Sequence, residues 1–300
     1  MSVKLEKISK TFNINGFFLR KNSLKVLDNI DLELLRGDIL GLLGKNGSGK
    51  TTMFKIILDL IEPSNGKVTI TDRKNKYLAY INTNSRSFYW RISPKDNLTF
   101  YGKLLNMKNN EIEKNIIDLS KKFDVFDLLD TPFMKLSSGQ MQTFIIVRSL
   151  LKKPDIVFFD EATSSMDFQR SINVLKSIKN YINKYKIPTI WCSHDLDEVD
   201  FLCNRFSILK KGNLKFLSKD DFKELKHRTI SYCFEILKKD LAKLPNDLKY
   251  ELVSDFRNTY LIHFQDKSES LNDSLKVLIE NKIEIKKIVN RKNMRDFSLE

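Results

Sequence analysis

The run Gly44-Lys45-Asn46-Gly47-Ser48-Gly49-Lys50-Thr51, set directly after the apolar stretch Ile39-Leu40-Gly41-Leu42-Leu43, decides how the rest of the chain reads. It satisfies G-x-x-x-x-G-K-[ST] where that pattern carries meaning, between a buried strand and a helix start. Gly44, Gly47 and Gly49 allow consecutive backbone N–H groups, those of Asn46 and Ser48 among them, to turn inward on a polyphosphate. A helix expected to begin near Gly49 aims its positive dipole end at the same point. In such a cradle Lys50 reaches the β- and γ-phosphates, the Thr51 hydroxyl holds Mg²⁺ and Thr52 supports the phosphate bed. A Gly-rich surface turn is the plain alternative, and the flanking strand and helix disfavour it.

Further landmarks follow in order, each once. Leu136-Ser137-Ser138-Gly139-Gln140 precedes an apolar helix from Met141 to Leu151, with Ser137 well suited to cap it. After Pro154 comes Ile156-Val157-Phe158-Phe159-Asp160-Glu161, then Ser164-Ser165-Met166-Asp167. His194 follows the strand-like Thr189-Ile190-Trp191-Cys192-Ser193. Asp160 belongs at the C-terminal end of a buried parallel strand, the edge where open α/β sheets collect ligands, and can bind Mg²⁺ through its water shell. Glu161, expected on the opposite side of that strand, can act as general base toward an attacking water. In isolation two acids at a strand end are solvated surface and His194 is an ordinary polar residue. Behind a phosphate cradle, the acids become a metal and base pair and the histidine a γ-phosphate contact.

These motifs, in this order, resemble the ATP-binding cassette (ABC) proteins over about residues 1 to 217. LSSGQ is similar to the family signature LSGGQ, with Ser138 in place of a glycine. IVFFDE resembles the Walker B strand with its trailing glutamate, Ser164 to Asp167 the D-loop, and His194 the switch histidine. The resemblance implies an α/β fold, a P-loop NTPase cassette with a RecA-like core sheet, an antiparallel β subdomain and an α-helical subdomain. It implies ATP and Mg²⁺ as ligands and hydrolysis with Lys50, Glu161 and His194 as catalytic groups. It also implies a second ATP-binding subunit, a homodimer being expected. Ser137, Ser138, Gly139 and Gln140 would face the γ-phosphate on that opposite subunit, with Asp167 in the same shared site. Phe12 falls where the family places an aromatic against adenine, although a strand Phe equally serves a core. The family's Mg²⁺-contacting glutamine is replaced by Asn84, counting back from Ile92-Ser93-Pro94-Lys95-Asp96-Asn97-Leu98; the amide is kept, one methylene shorter. The aromatic segment Ser87-Phe88-Tyr89-Trp90-Arg91 reads either as a packed loop or, the preferred reading, as part of a groove receiving a helix of a separate transmembrane permease.

Composition limits the rest. A chain of 300 residues holds one large domain and one small one. The net charge of +14 invites a nucleic-acid reading, but the lysines are scattered as singles and pairs, so no nucleic-acid partner is expected. Cys192, Cys203 and Cys233 form no C-x-x-C pair, which points to a reduced compartment. No secretory h-region and no membrane-length apolar run is seen, so a translocation path belongs to another polypeptide, with this chain peripheral on the cytoplasmic face of the membrane. Ser218-Lys219-Asp220-Asp221 reads as a capped helix start. Residues 1–226 are taken as the cassette and 227–300 as a small α+β domain. Its strands at Ile230–Ile236, Tyr250–Val253, Tyr260–Phe264 and Ile283–Ile288, with helices at Lys238–Lys243 and Ser268–Lys282, suggest a ferredoxin-like β-α-β-β-α-β order. That tail loosely resembles the C-terminal domain of some drug- and lipid-exporter ATPases, hence an exporter reading. Two other readings stay open: a soluble ABC ATPase acting on ribosomes or DNA, which would usually carry paired cassettes or a coiled-coil insertion, and a low-turnover regulatory module, against which the complete set of motifs argues.

Overall fold

A computed structural model describes residues 2–15, 21–71, 76–83, 87–229, 232–245, 250–255, 258–264 and 271–290. The apolar runs become strands covered on both faces: β3 (Ile39–Leu43), β6 (Ile156–Asp160) and β7 (Thr189–Cys192) are buried along nearly their whole length. Such continuous burial belongs to parallel strands sandwiched by helices. With β5 (Leu78–Ile81), β8 (Arg205–Lys210) and β9 (Asn213–Leu217) they form a six-stranded sheet of order β5-β6-β7-β3-β8-β9. Every neighbour is parallel except the β8–β9 hairpin. The order brings the C-terminal ends of β3, β6 and β7, distant in sequence, to one edge, where this sheet class binds its ligands.

The helix after β3, α1 (Lys50–Ile57), starts on Gly49 and buries Met53, Phe54, Ile56 and Ile57. Phe54 lies 5.2 Å from the Phe158 ring and 6.0 Å from that of Tyr80. Truncating such a buried aromatic costs about 3–5 kcal/mol, so this contact sets where the phosphate loop sits on the sheet. A second sheet, antiparallel and of order β2-β1-β4, is built from β1 (Ser2–Asn15), β2 (Lys21–Leu35) and β4 (Asn65–Ile70). Its Leu5, Ile8, Leu27 and Ile30 share one core with β3 and α1. The helical part comprises α2 (Pro94–Leu104), α3 (Asn109–Lys122) and α4 (Ser138–Leu150). Ser93 caps α2 ahead of Pro94, and a reciprocal Ser137/Gln140 capping box starts α4. Two further helices, α5 (Phe168–Tyr185) and α6 (Leu196–Leu202), begin on the side-chain caps Asp167 and Asp195. The three parts expected of an α/β cassette are all present.

The chain divides into two compact units, 1–218 and 219–300. The second opens on α7 (Lys219–Thr229), inside which the sequence boundary at 226 falls. It continues with β10 (Tyr232–Leu237), a 3₁₀ turn at Lys238–Lys243, β11 (Tyr250–Asp255), β12 (Thr259–Phe264), α8 (Leu271–Glu280) and β13 (Ile285–Asn290). The sheet is antiparallel throughout, in the order β11-β12-β10-β13 of a split β-α-β-β-α-β unit. Phe234, Ile236, Ile262 and Phe264 alternate into its core with Leu278. Ile230 and Ser231, expected to start the first of these strands, and 268–270 of the expected helix lie outside the described residues.

Candidate functional site

The loop from Gly44 to Gly49 leaves β3 and turns with Gly47 and Gly49 at φ of 80° and 110°. L side chains strain at such angles, and a Cβ on Gly49 would also press within 2.8 Å of Leu27. Buried Lys50 reaches back across the loop and donates to the carbonyl oxygens of Gly44 (2.5 Å) and Lys45 (3.2 Å). The Ser48 hydroxyl is buried and, among the described residues, has no hydrogen-bond partner. An orphaned buried hydroxyl beside a buried ammonium suits a polyphosphate. The Ser48 N–H, expected to turn inward, is donated instead to the Lys45 carbonyl at 3.1 Å, which closes the loop's tight turn. Asn46 is exposed at the tip, and Thr51 and Thr52 enter the first turn of α1.

Asp160 ends β6 opposite that loop. Its Oδ2 accepts a hydrogen bond from the Tyr80 hydroxyl at 2.8 Å and a long one from the Thr51 hydroxyl at 3.4 Å. A carboxylate and a threonine hydroxyl side by side form an oxygen pair of the kind a hard divalent cation takes. Burial, then the bond to Asp160, pushes the Tyr80 phenol well above its ordinary pKa, so it stays a donor. Glu161 is placed differently from the expectation of simple strand alternation. The strand stops at Asp160 and Glu161 takes a left-handed φ of 57°, tied by its N–H to the Cys192 carbonyl at 3.0 Å. Holding a non-glycine there costs about 1–2 kcal/mol, and it turns the carboxylate toward the end of β7. There Glu161 Oε2 meets His194 Nδ1 at 2.6 Å. The structure therefore gathers Lys50, Thr51, Asp160, Glu161 and His194 at one edge of the sheet.

The Ser137 to Gln140 group stands elsewhere. Ser137 and Ser138 are exposed at the start of α4, Gly139 is buried, and a Cβ there would meet Arg170 Cδ at 3.1 Å. Ser138, the departure from glycine, donates from its hydroxyl to the Ser165 carbonyl at 3.2 Å and so ties the helix start to the segment before Asp167. Asp167 accepts from the Arg170 N–H at 2.9 Å as the cap of α5. Phe12 is not core: it is 39% exposed on β1, with Lys10 Nζ 5.1 Å from its ring centroid. Asn84 lies outside the described residues. Of the aromatic segment, Phe88 is buried, stacked 4.4 Å from Phe133, while Tyr89 and Trp90 are 59% and 47% exposed.

Four features were not singled out in the sequence. Tyr80 is one; its hydroxyl matters only because β5 pairs with β6. Arg148 of α4 lies between Phe88 (4.8 Å) and Tyr101 (5.0 Å) and donates to the Ser87 carbonyl at 2.9 Å. Burial pulls this guanidinium below its usual pKa, and it pins the aromatic segment to α4. The third is Glu198, in the first turn of α6. The fourth is its pair of hydroxyl partners, Thr163 and Ser193. An acid four residues past His194 at a helix start was the available signal for Glu198.

The ABC transporter family profile matches residues 27–164. The ABC transporter ATP-binding protein NatA of Bacillus subtilis is 30% identical over 203 residues, which span 65% of this chain and 82% of that protein. The methionine import ATP-binding protein MetN of Pasteurella multocida is 28% identical over 223 residues, 71% of this chain and 63% of that one. Among solved structures, a dimeric ATP-binding cassette in a post-hydrolysis state with ADP and Pi aligns with a TM-score of 0.62 at 22% identity, covering 72% of this chain and 99% of that chain. That structural likeness speaks for the fold.

Proposed function

The chain belongs to the family of ABC transporter ATP-binding proteins, and from that membership we propose that two copies hydrolyse ATP in shared sites to drive a separate membrane permease in the direction of export. Family membership carries the ATPase activity. The observation that supports the residue assignment is the meeting of Lys50, Thr51, Asp160, Glu161 and His194 at one sheet edge.

In this reading the loop N–H groups, Ser48 and Lys50 hold the β- and γ-phosphates, Thr52 supports them and Phe12 offers its exposed ring to adenine. Thr51 and Asp160, with Tyr80 orienting the carboxylate, would hold Mg²⁺, which neutralises phosphate charge when bound, and Asn84 is the further ligand that the family resemblance implies. Glu161 accepts the proton of the attacking water as its oxygen bonds to the γ-phosphorus and the bond to the ADP oxygen breaks. His194 stands beside that base and contacts the transferring phosphoryl group. An ATP held only by the loop leaves its γ-phosphate open on one side. The exposed start of α4 on a second copy, Ser137 to Gln140, supplies the missing N–H groups and hydroxyl, with Asp167 beside it.

Tyr89 and Trp90 are the kind of aromatic anchors that a permease helix would bury, and Arg148 ties the adjoining Ser87 and Phe88 to α4. Among the described residues no helix is long and apolar enough to cross a membrane, in keeping with a path supplied by another chain and a peripheral, cytoplasmic-face location. Export rests on the loose sequence resemblance of residues 227–300 to the C-terminal domain of some drug- and lipid-exporter ATPases. Co-purification from detergent-solubilised membranes tests the reading: a polytopic permease should accompany the chain, and recovery with ribosomes or DNA instead would replace it. Transport by the recovered complex in vesicles then decides direction.

A further inference from the structure

Glu198 is a half-buried carboxylate in the first turn of α6, and its two oxygens are engaged by two different loops. Oε1 accepts from the Thr163 hydroxyl at 2.5 Å and Oε2 from the Ser193 hydroxyl at 2.8 Å. Thr163 lies two residues past Glu161 in the loop leaving β6, and Ser193 immediately precedes His194 in the loop leaving β7. Both hydroxyl residues are buried. Ser193 Oγ in turn accepts from the Asp195 N–H at 3.0 Å, and Asp195 caps α6 by accepting from the N–H groups of Asp197 and Glu198. The carboxylate is costly where it sits. Burial raises its pKa, the hydrogen bonds from Thr163 and Ser193 offset part of that rise, and the acidic neighbours Asp195 and Glu161 add to it. An apolar side chain would pack there without that cost, but it would offer no acceptor to either hydroxyl.

We propose that Glu198 is a positioning residue for ATP hydrolysis, a clamp that joins the loop of the base to the loop of the histidine and so fixes the contact between Glu161 and His194. The proposal rests on the assignment of Glu161 and His194 to hydrolysis. It adds a residue that touches neither water nor phosphate but sets the geometry of the two that do. Groups of this sort act through the precision of the arrangement they support.

The test uses the full chain in its assembled form with three readouts: ATP turnover, binding of a fluorescent ATP analogue, and the ¹⁵N chemical shifts of the His194 ring. The chain has three histidines, so the His194 signals are assigned by their loss in His194→Gln. Glu198→Ala is expected to lower kcat about tenfold to a hundredfold while analogue affinity stays within about twofold. It should move the His194 signals toward those of Glu161→Gln, where the contact is weakened chemically. Glu198→Gln keeps the shape and one carbonyl acceptor and should recover most of the turnover. If Glu198→Ala does not fold, Thr163→Val and Ser193→Ala each break one arm of the clamp and should shift both readouts the same way, by less. Unmoved His194 signals in variants that remain folded overturn the clamp. So does a parallel loss of analogue affinity and turnover, which marks a merely structural role. If the signals move as expected but Glu161→Gln itself turns over ATP at the wild-type rate, the assignment beneath the proposal fails, and the proposal with it.

Discussion

The C-terminal edge of the six-stranded sheet and the start of α4 both present groups suited to phosphate, yet the first closes on itself and the second faces outward. At the sheet edge Lys50 bonds to its own loop, Asp160 is held by Tyr80 and Thr51, and Glu161 by His194. At α4, Ser137 and Ser138 are exposed; the Ser137 hydroxyl accepts from the Gln140 N–H and keeps its own proton to donate, while the Ser138 hydroxyl donates to the Ser165 carbonyl. The opening N–H groups of any helix lack partners within it, and here they sit at an exposed small-residue terminus. A polyphosphate binder needs both halves around one ligand. In one chain the first half is bonded within itself while the second stands exposed, and this asymmetry is what a two-copy site would use.

Three changes probe the contrast, in decreasing order of effect. Glu161→Gln removes the base from the closed half and should lower turnover by about 10²- to 10⁴-fold while letting ATP bind, so that an ATP-bound dimer accumulates on size-exclusion chromatography. Turnover near wild type would remove Glu161 from the chemistry. Tyr80→Phe deletes one hydrogen bond to the Asp160 carboxylate; bonds to charged groups contribute about 1.5–3 kcal/mol, and with water able to replace the hydroxyl a loss of about tenfold is expected, relieved by raised Mg²⁺. Insensitivity to Mg²⁺ would show that Tyr80 does not act through the metal pair. The smallest effect belongs to a chain ending at Ser218. Neither half of the comparison lies beyond that point, so isothermal titration should give an ATP affinity within about threefold of the full chain. Loss of binding would make the second unit part of the nucleotide site.

What could be read from the sequence is what local spacing encodes. The phosphate loop needs glycines and a lysine within eight positions, and the buried strands show as unbroken apolar runs, so fold class and the Lys50, Asp160 and Ser137 positions were all legible. What escaped depends on which segments lie side by side. Tyr80 meets Asp160 only through the parallel register of β5 and β6, and Arg148 finds Phe88 and Tyr101 only after α2 and α4 have packed. Glu198 joins loops that follow two different strands. Glu161 is instructive in another way: its identity was legible, but strand alternation was the wrong reason for its direction. The left-handed turn at its own backbone aims it. Phe12 reads from sequence as either core or ligand contact, and the structure leaves it partly exposed with Lys10 over its ring.

The shared site is tested most directly by mixing two defective chains. Lys50→Ala disables the loop half and Ser137→Arg blocks the α4 half, so each homodimer should be nearly inactive. A dimer containing one of each, isolated with two affinity tags, combines both lesions in one site and leaves the other site with an intact loop and an intact α4. It should regain roughly half of wild-type turnover if the sites act independently, and a measurable fraction of it if they are coupled. Verified mixed dimers that stay as inactive as either parent, alongside active doubly tagged wild type, would contradict a site built from two copies.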